Sequence, residues 1–269
     1  MGYFKVIKHN DNLYQFMDKL GVLATLAIGS KKALLFDTCY GFANLNEEVK
    51  KITSKELIVI NSHGHMDHTA GNFHFANVYI NKQDYELLKE HNGIERRLRN
   101  VNEAKRVKAI DDSFDVNRYL NSGEGNINFI EVGEKIDLGD VQAEVISMAG
   151  HTKGSIGIFL KEWKIILASD AACAFVWMFL KESTDLKTYI GTLKRTISLD
   201  FDYFLVGHDP KLFPKSEMHR YLEVAENLDL RKAFKVDFDG FNDQDAYCYT
   251  EGKLYGPGDC GIIFSLDKL

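Results

Sequence analysis

The sequence predicts an α+β fold, a four-layer αβ/βα sandwich in which two β-sheets face each other between outer helices. Three observations lead to this prediction. Short apolar runs typical of strands alternate with helix-like segments along the whole chain, and the two halves of the chain have a similar make-up. In addition, polar residues follow directly after several of the apolar runs. With 269 residues, 45% hydrophobic and 27% charged, the chain can bury a large core and has an ordinary globular composition.

The strands and helices of the two halves are predicted in order from hydrophobic periodicity. In the first half we expect strands at residues 4–8, 22–28, 33–37, 57–60 and 78–81. Helices are expected at 44–52, where acidic residues come early and basic residues late as the helix dipole favours, and at 83–91. In the second half we expect strands at 141–147, 165–169 and 203–206, and helices at 186–196 and 216–228.

Residues 92–123 and 231–269 are predicted to be additions to this sandwich. We expect a main domain at residues 1–230 and a strand-rich C-terminal appendage at 231–269, packed on the same domain. Residues 92–123 are rich in charge, so we expect a mostly solvated helix or helix pair, and its position makes it a candidate lid. The strongly apolar run 174–180 is open to two interpretations, core on one hand and a substrate pocket or dimer contact on the other.

The most informative local feature is the hexapeptide at residues 63–68, which reads HGHMDH. It follows the apolar run 57–60, so it lies in a loop just past a strand end, where several side chains can point to one place. Imidazole and carboxylate groups are ligands of zinc, manganese, iron and cobalt. Four such groups crowded together would repel one another or titrate, and a bound cation resolves that conflict.

Three later residues, like the hexapeptide, come directly after predicted strands. His151 follows the strand predicted at 141–147, Asp170 ends the run at 165–169, and His208 follows the strand predicted at 203–206. Ligands at the ends of several strands can converge at a single edge of a sheet. We therefore expect one metal centre built from these residues and the hexapeptide.

At this point the chain resembles the metallo-β-lactamase superfamily, over residues from about 20 to 225. The order in that family is an Asp after an early strand, His-x-His-x-Asp-His, a later His, a later Asp and a last His. Asp37 matches the early Asp, and the other positions are those named above. The resemblance implies a binuclear site in which His63, His65 and His151 hold one metal. Asp67, His68 and His208 would hold the second, with Asp170 bridging the two.

The resemblance also implies the roles of the remaining groups. Two divalent metal ions, with zinc favoured and manganese or iron as alternatives, would share a water and generate hydroxide. Asp67 would be both a ligand and the catalytic residue that orients this nucleophile and takes up a proton. Asp37 would orient the loop without binding metal. His9, His74, His91 and His219 match no position of the pattern and are interpreted as surface or packing residues, with His74 a weak candidate for a supporting role.

Charge and cysteine content narrow the possible partners. The net charge of −6 gives no general attraction to nucleic acid, so we expect a small-molecule substrate and no nucleic-acid partner. The N-terminus lacks a secretory signal, no apolar run is long enough to cross a membrane, and the four cysteines are widely spaced. We therefore expect free thiols, a cytoplasmic location and no membrane partner, with a homodimer possible.

We accordingly predict a binuclear metallohydrolase that cleaves an ester-like bond, with a thioester or lactone favoured. A secreted β-lactamase is disfavoured because there is no signal peptide and Asp170 stands where one large group has Cys. The flavodiiron branch carries Glu where this chain has His65. Hydrolysis of a phosphodiester or sulfate ester is the alternative, since two metals also suit displacement at phosphorus. A di-iron redox enzyme and a non-catalytic metal-binding protein are less favoured hypotheses.

Overall fold

The strands of the protein form three sheets in the computed structural model, which describes residues 2–238, 241 and 244–269. The strands in this part of the chain are β1 Lys5–Asn10, β2 Leu13–Met17, β3 Leu23–Ile28, β4 Lys32–Phe36, β5 Glu56–Ile60, β6 Val78–Ile80, β7 Ile127–Phe129, β8 Lys135–Asp137, β9 Gln142–Ser147, β10 Ile156–Leu160, β11 Ile165–Leu167, β12 Phe175–Met178, β13 Tyr203–Leu205, β14 Phe213–Pro214, β15 Phe234–Val236, β16 Ala246–Thr250 and β17 Gly261–Phe264. The helices are α1 Leu45–Ile52, α2 Met66–Thr69, α3 Tyr85–His91, α4 Ile94–Arg106, α5 Val116–Leu120, α6 Leu186–Ile197 and α7 Lys215–Glu226.

The first two sheets form the centre of the predicted sandwich. The first has seven strands in the order β1 to β7, antiparallel from β1 to β4 and parallel from β4 to β7. The second has six strands in the order β14-β13-β11-β10-β9-β8, of which β11 and β13 are parallel. Parallel pairing aligns Phe36 with Ile60 and Leu167 with Leu205, so the loops after these strands leave at neighbouring positions.

Alternation of side chains along the strands produces the four layers. Leu34 and Ile60 of the first sheet pack against residues of the second sheet, such as Leu167, in one buried cluster. The adjacent residue Leu35 points the other way and packs with Leu45 and Val49 of α1. In the second sheet, buried side chains of β11 and β13 pack likewise against α6 and α7. The α+β sandwich predicted from the sequence is therefore confirmed.

A third sheet goes beyond the two predicted from the sequence. Its order is β12-β17-β16-β15, and the first strand pairs in parallel with the last strand of the chain, Phe175 opposite Gly261 and Met178 opposite Phe264. The described part of residues 231–269 contains β15, β16 and β17, and the pairing of β17 with β12 joins it to the preceding chain. Its residues 239, 240, 242 and 243 lie outside the described part, as does Met1 of the expected main domain.

The apolar run 174–180 belongs to the core. Phe175, Val176 and Met178 of β12 are at most 7% exposed, and the next two residues, Phe179 and Leu180, are buried with them. Of the two interpretations left open by the sequence, burial within this chain accounts for most of the run, because the third sheet covers it.

The charged segment 92–123 folds as the helix pair α4 and α5, and most of it is exposed as expected, but one of its arginines is an exception. Arg97 is 0% exposed. Its guanidinium donates hydrogen bonds to Asn92 Oδ1 at 2.7 Å and to the Gly123 carbonyl at 2.6 Å, and it lies 4.8 Å from the ring of Tyr119. Carbonyl dipoles and aromatic faces solvate this buried charge, and a periodic pattern of charge along a helix does not reveal such partners.

The same segment packs against the hexapeptide loop. Val101 and Ala104 of α4 are buried in a cluster with Phe42 and Met66, and Asn100 donates to the Met66 sulfur at 2.8 Å. In the described part of the chain, no helix combines the length and apolarity needed to cross a membrane.

Candidate metal centre

The candidate ligands are brought together by the ends of strands from both central sheets. The hexapeptide follows β5 after two residues, and its last three residues begin the short helix α2. His151 lies in the turn between β9 and β10, Asp170 follows β11 and His208 follows β13. Because β5 belongs to the first sheet and the other strands to the second, the site lies across one edge of the sandwich.

His63, His65 and His151 form the first group, here called the three-histidine cluster. His65 Nδ1 lies 3.0 Å from His63 Nε2 and 3.0 Å from His151 Nε2, and all three residues are buried. Burial lowers the pKa of His63 well below its usual range and the pKa of His151 to about 4, so both imidazoles are neutral at pH 7. Neutral imidazole is the form that binds a metal.

The outer nitrogen of each imidazole in this cluster has a polar partner in the protein. His151 Nδ1 donates to the Trp177 carbonyl at 2.8 Å, and His65 Nε2 lies 2.7 Å from Glu182 Oε1. His63 Nδ1 lies 2.8 Å from the Ser62 hydroxyl, which itself donates to Asp37 and is therefore an acceptor for the imidazole. Since the outer nitrogens hold the protons, three lone pairs face one another at the centre, which fits a cation among them.

Asp67, His68, Asp170 and His208 form the second group, here called the carboxylate cluster. His68 Nε2 lies 3.3 Å from Asp67 Oδ2 and 3.4 Å from Asp170 Oδ2. His208 Nε2 lies 3.4 Å and 3.2 Å from the same two oxygens and is on the open side of the site, with 46% of its side chain exposed. Asp170 Oδ2 is also 4.0 Å from His151 Nε2, so this carboxylate lies between the two clusters.

The electrostatics of the carboxylate cluster favour positive charge beside Asp67 and Asp170. Burial opposes ionisation of Asp67 and Asp170, but the charges of His68 and His208 outweigh it and lower the pKa of both carboxyls well below their usual range. In turn the two carboxylates overcome the effect of burial on His68 and His208, raising the pKa of His208 to about 10. Without a cation, protons on the imidazoles balance the carboxylates. A divalent metal ion can take their place.

Two buried atoms without partners support the same conclusion. Among the described residues, His68 Nε2 and Asp170 Oδ1 are enclosed polar atoms that make no hydrogen bond. Buried nitrogen and oxygen atoms are normally paired, and both of these belong to the carboxylate cluster. The donor set of both clusters therefore fits two metal ions.

Asp37 supports the carboxylate cluster through hydrogen bonds to the loops that carry it, as the resemblance implied. Its carboxylate accepts hydrogen bonds from Ser62 N at 2.7 Å, the Ser62 hydroxyl at 2.9 Å and the Ser169 hydroxyl at 2.8 Å, and it lies 2.9 Å from His68 Nδ1. The contact with Nδ1 directs His68 Nε2 towards the cluster. Asp37 has φ +71°, a backbone conformation that a non-glycine residue adopts only where its surroundings enforce it.

Asp84 is a supporting residue that the sequence did not indicate. It is buried at the end of a 3-10 turn before α3 and joins the two loops that carry the three-histidine cluster. Its Oδ2 accepts from Gly64 N at 2.9 Å and from the Thr152 hydroxyl at 2.6 Å, and its Oδ1 accepts from Gly154 N at 2.7 Å. A Cβ on Gly154 would collide with the Asp84 carboxylate, and one on Gly64 would lie 2.8 Å from the Asp84 carbonyl oxygen.

Glu182 and His91 are further neighbours of the site that sequence reasoning missed. The His91 ring stacks on His65 with centroids 4.9 Å apart, and burial lowers the pKa of His91 to about 3. His65, His91 and Glu182 bring their ligand atoms within 4.8 Å of one another. The sequence predicts only a surface or packing residue at His91, because its place at the end of α3 carries no signal of this contact. His74, the weak supporting candidate, instead bonds to the Gly41 carbonyl.

The chain matches one protein-family model and is similar in sequence to curated proteins. The model described as Metallo-beta-lactamase superfamily matches residues 17–208. The human protein named acyl-coenzyme A thioesterase MBLAC2 is 25% identical in an alignment 189 residues long, which covers 65% of this chain and 66% of that protein. Its Bos taurus counterpart is 24% identical over the same shares. The chain thus spans slightly less than two thirds of the length of these curated relatives.

Solved structures show the same fold at low sequence identity. The sec-alkylsulfatase Pisa1 from Pseudomonas sp. superposes with a TM-score of 0.62 at 16% identity, over 82% of this chain and 41% of that chain. The metallo-beta-lactamase DIM-1 superposes with a TM-score of 0.60 at 17% identity, over 84% of this chain and 98% of that chain. These likenesses concern the arrangement of sheets and helices.

Proposed function

This chain belongs to the metallo-beta-lactamase superfamily, and we propose that it is a metal-dependent hydrolase that cleaves a thioester. The observation that carries the proposal is the convergence of five imidazoles and two carboxylates in two adjoining clusters, in which two buried polar atoms have no hydrogen-bond partner among the described residues. The thioester, rather than a lactone, is favoured because the curated relatives are named as acyl-coenzyme A thioesterases.

We assign the metal ligands in two sets. His63, His65 and His151 hold one ion. The second ion is held by Asp67, His68 and His208, and Asp170 lies between the clusters as the shared ligand. We propose zinc as the metal, with manganese or iron as alternatives that the same nitrogen and oxygen ligands accept.

The reaction requires a nucleophilic water and a stabilised carbonyl oxygen. When bound, two divalent cations lower the pKa of a water towards neutrality and polarise a carbonyl group. Asp67, whose side chain is 22% exposed, orients the attacking water through a carboxylate oxygen and accepts its proton. Asp37 and Glu182 fix the rings of His68 and His65, so that the site keeps its shape while the substrate reacts.

The other features expected from the sequence belong to the same proposal. We propose a small-molecule substrate, no nucleic-acid partner and a cytoplasmic protein that can form a homodimer. We also propose a main domain at residues 1–230, in which 92–123 is a lid, and an appendage at 231–269.

Hydrolysis of a panel of substrates tests the proposed function. Purified protein is stripped with a chelator, reloaded with zinc, manganese or iron, and assayed on a thioester, a lactone, an activated phosphodiester and an alkyl sulfate. We expect turnover of the thioester that disappears on stripping and returns with metal. Metal-dependent turnover of only the phosphodiester or the sulfate would replace the thioesterase proposal, and spectra of redox-active iron without hydrolysis would oppose a hydrolase.

The contact between Glu182 and His65 predicts an effect on metal binding. Because the carboxylate holds His65 Nε2, Glu182→Ala should weaken the ion at the three-histidine cluster by about 10–100-fold. Glu182→Gln, which keeps an acceptor, should have a smaller effect. Competition with a chromophoric chelator measures both affinities. Glu90→Ala is the control, because among the described residues the Glu90 carboxylate pairs with exposed Lys181. Equal affinity in Glu182→Ala and the wild type would refute this role.

A further inference from the structure

A pocket of about 540 Å³ lies between the charged segment 92–123 and the N-terminal part of the chain. It is here called the lysine pocket, and the residues that define it are Tyr3, Lys19, Phe42, Lys105, Lys108 and Phe114. This volume is in the range of small-molecule sites, roughly 300–1,000 Å³. The pocket is therefore large enough to hold a substantial part of a substrate.

The charge of the lysine pocket is opposite to that of the whole protein. Three lysines and two aspartates, Asp111 and Asp112, line it, whereas the chain carries a net charge of −6. In the described residues none of the three ammonium groups forms a salt bridge, although Lys19 Nζ lies 5.6 Å from the centroid of the Tyr3 ring. Asp111 Oδ1 is occupied by Ser113, which donates through its backbone and its hydroxyl. Hydrogen bonds from Ser113 and, in addition, the charge of Lys19 lower the pKa of Asp111, so Lys19 already has an anionic neighbour. Lys105 and Lys108 are the cations that remain available to an anionic ligand.

The backbone at Lys108 is a second, independent observation. Lys108 follows the end of α4 with φ +58°, the left-handed conformation in which glycine is favoured at this position. A lysine here is held in an unfavourable conformation while its side chain lines the pocket. The Tyr3 hydroxyl adds a buried donor that has no partner among the described residues. The left-handed residue Lys108 and the unpartnered Tyr3 hydroxyl therefore both belong to residues that line the pocket.

Aromatic contacts connect the lysine pocket to the carboxylate cluster. The Phe42 ring stacks on the Tyr40 ring with centroids 5.9 Å apart. Burial and then the charge of Asp67 raise the pKa of the Tyr40 hydroxyl well above the usual range, so Tyr40 lies within electrostatic reach of that carboxylate. Phe42 also shares a buried cluster with Met66, which lies next to Asp67 in the chain. A ligand in the pocket is therefore adjacent to the loop that carries the proposed catalytic carboxylate.

We propose that the lysine pocket binds the phosphate groups of a coenzyme A thioester while the thioester lies at the metal centre. This inference rests on the proposed function, and it specifies the substrate class by its phosphorylated end. Ammonium groups are strong partners of phosphate, and the rings of Tyr3, Phe42 and Phe114 give an apolar wall for the rest of the carrier.

The test compares two thioesters with the same acyl group, one on coenzyme A and one on pantetheine, which has no phosphate. In the double variant Lys105→Ala/Lys108→Gly, the ratio of kcat/KM for the coenzyme A substrate to that for the pantetheine substrate should fall on the order of tenfold, mainly through KM. Lys108→Gly alone should not lower the thermal stability, because glycine suits the left-handed backbone. Lys50→Ala, an exposed lysine of α1, is the control that should leave the ratio unchanged.

The outcomes separate the two proposals. An unchanged ratio in the double variant, with both thioesters hydrolysed, would overturn the phosphate site and leave the thioesterase standing. If the wild type hydrolysed neither thioester, the proposed function would fail. In that case, calorimetry of coenzyme A binding to the wild type and the double variant would still test whether the lysine pocket binds phosphate. The phosphate site is supported if the double variant binds coenzyme A on the order of tenfold more weakly, and it is overturned if both proteins bind equally or not at all.

Discussion

Asp67→Asn should reduce kcat for thioester hydrolysis by about a thousandfold, within the range of 10²–10⁴ ascribed to general acid–base catalysis. The asparagine amide is nearly the same size as the carboxylate, but it cannot take up a proton from water. It also removes the negative charge that lies 3.3 Å from His68 Nε2 and 3.4 Å from His208 Nε2. Steady-state rates on the reloaded enzyme measure the effect.

Metal content separates the two roles of Asp67, ligand and proton acceptor. If the variant keeps both ions and still loses activity, the carboxylate acts on the water. If it keeps only one, loss of the second ion explains the fall. Asp209→Asn, next to His208 but bonded to the Lys211 backbone, is the matched control and should keep its activity. Asp67→Asn protein with both ions and unimpaired turnover would contradict the proposed mechanism.

The candidate site could be predicted from the sequence because its signal is local. The hexapeptide places four potential ligands within six residues, and His151, Asp170 and His208 each follow an apolar strand. The two parallel pairs, β4 with β5 and β11 with β13, then bring these loops to the same edge. The structure places all seven predicted ligands in the two clusters, while their binding of metal stays a proposal.

The supporting residues could not be predicted because their partners are distant in the sequence. Asp84 bonds to residues 20 and 70 positions away, and Glu182 bonds to His65 across 117 positions. Nothing near a lone acidic residue in the sequence distinguishes such a contact from a solvated carboxylate. The third sheet was missed for a similar reason, since β12 pairs with β17, which lies more than 80 residues later in the chain. Strand β2 was missed because the buried polar residue Gln15 interrupts its apolar pattern.

Asp84→Asn should disrupt the three-histidine cluster without removing any ligand. Both carboxylate oxygens of Asp84 accept hydrogen bonds, so the NH2 group of the asparagine would face a donor in either orientation. In one orientation that donor is Gly154 N, and in the other the donors are Gly64 N and the Thr152 hydroxyl. Losing these charge-assisted bonds in a buried position should lower the free energy of unfolding by about 3 kcal/mol. The affinity for the ion at the three-histidine cluster should fall by about 10–100-fold.

The loss of metal affinity in Asp84→Asn should be larger at the three-histidine cluster than at the carboxylate cluster. The Asp84 side chain holds the loops of His63, His65 and His151, and it contacts none of the residues of the carboxylate cluster. Urea unfolding of the metal-free protein measures stability, and titration with cobalt reports the two sites by their spectra. Asp202→Asn, at an exposed position before β13, is the control and should change stability by less than about 0.5 kcal/mol. Equal weakening at both clusters would indicate general loosening of the fold, and an unchanged variant would show that the two loops hold their positions without Asp84.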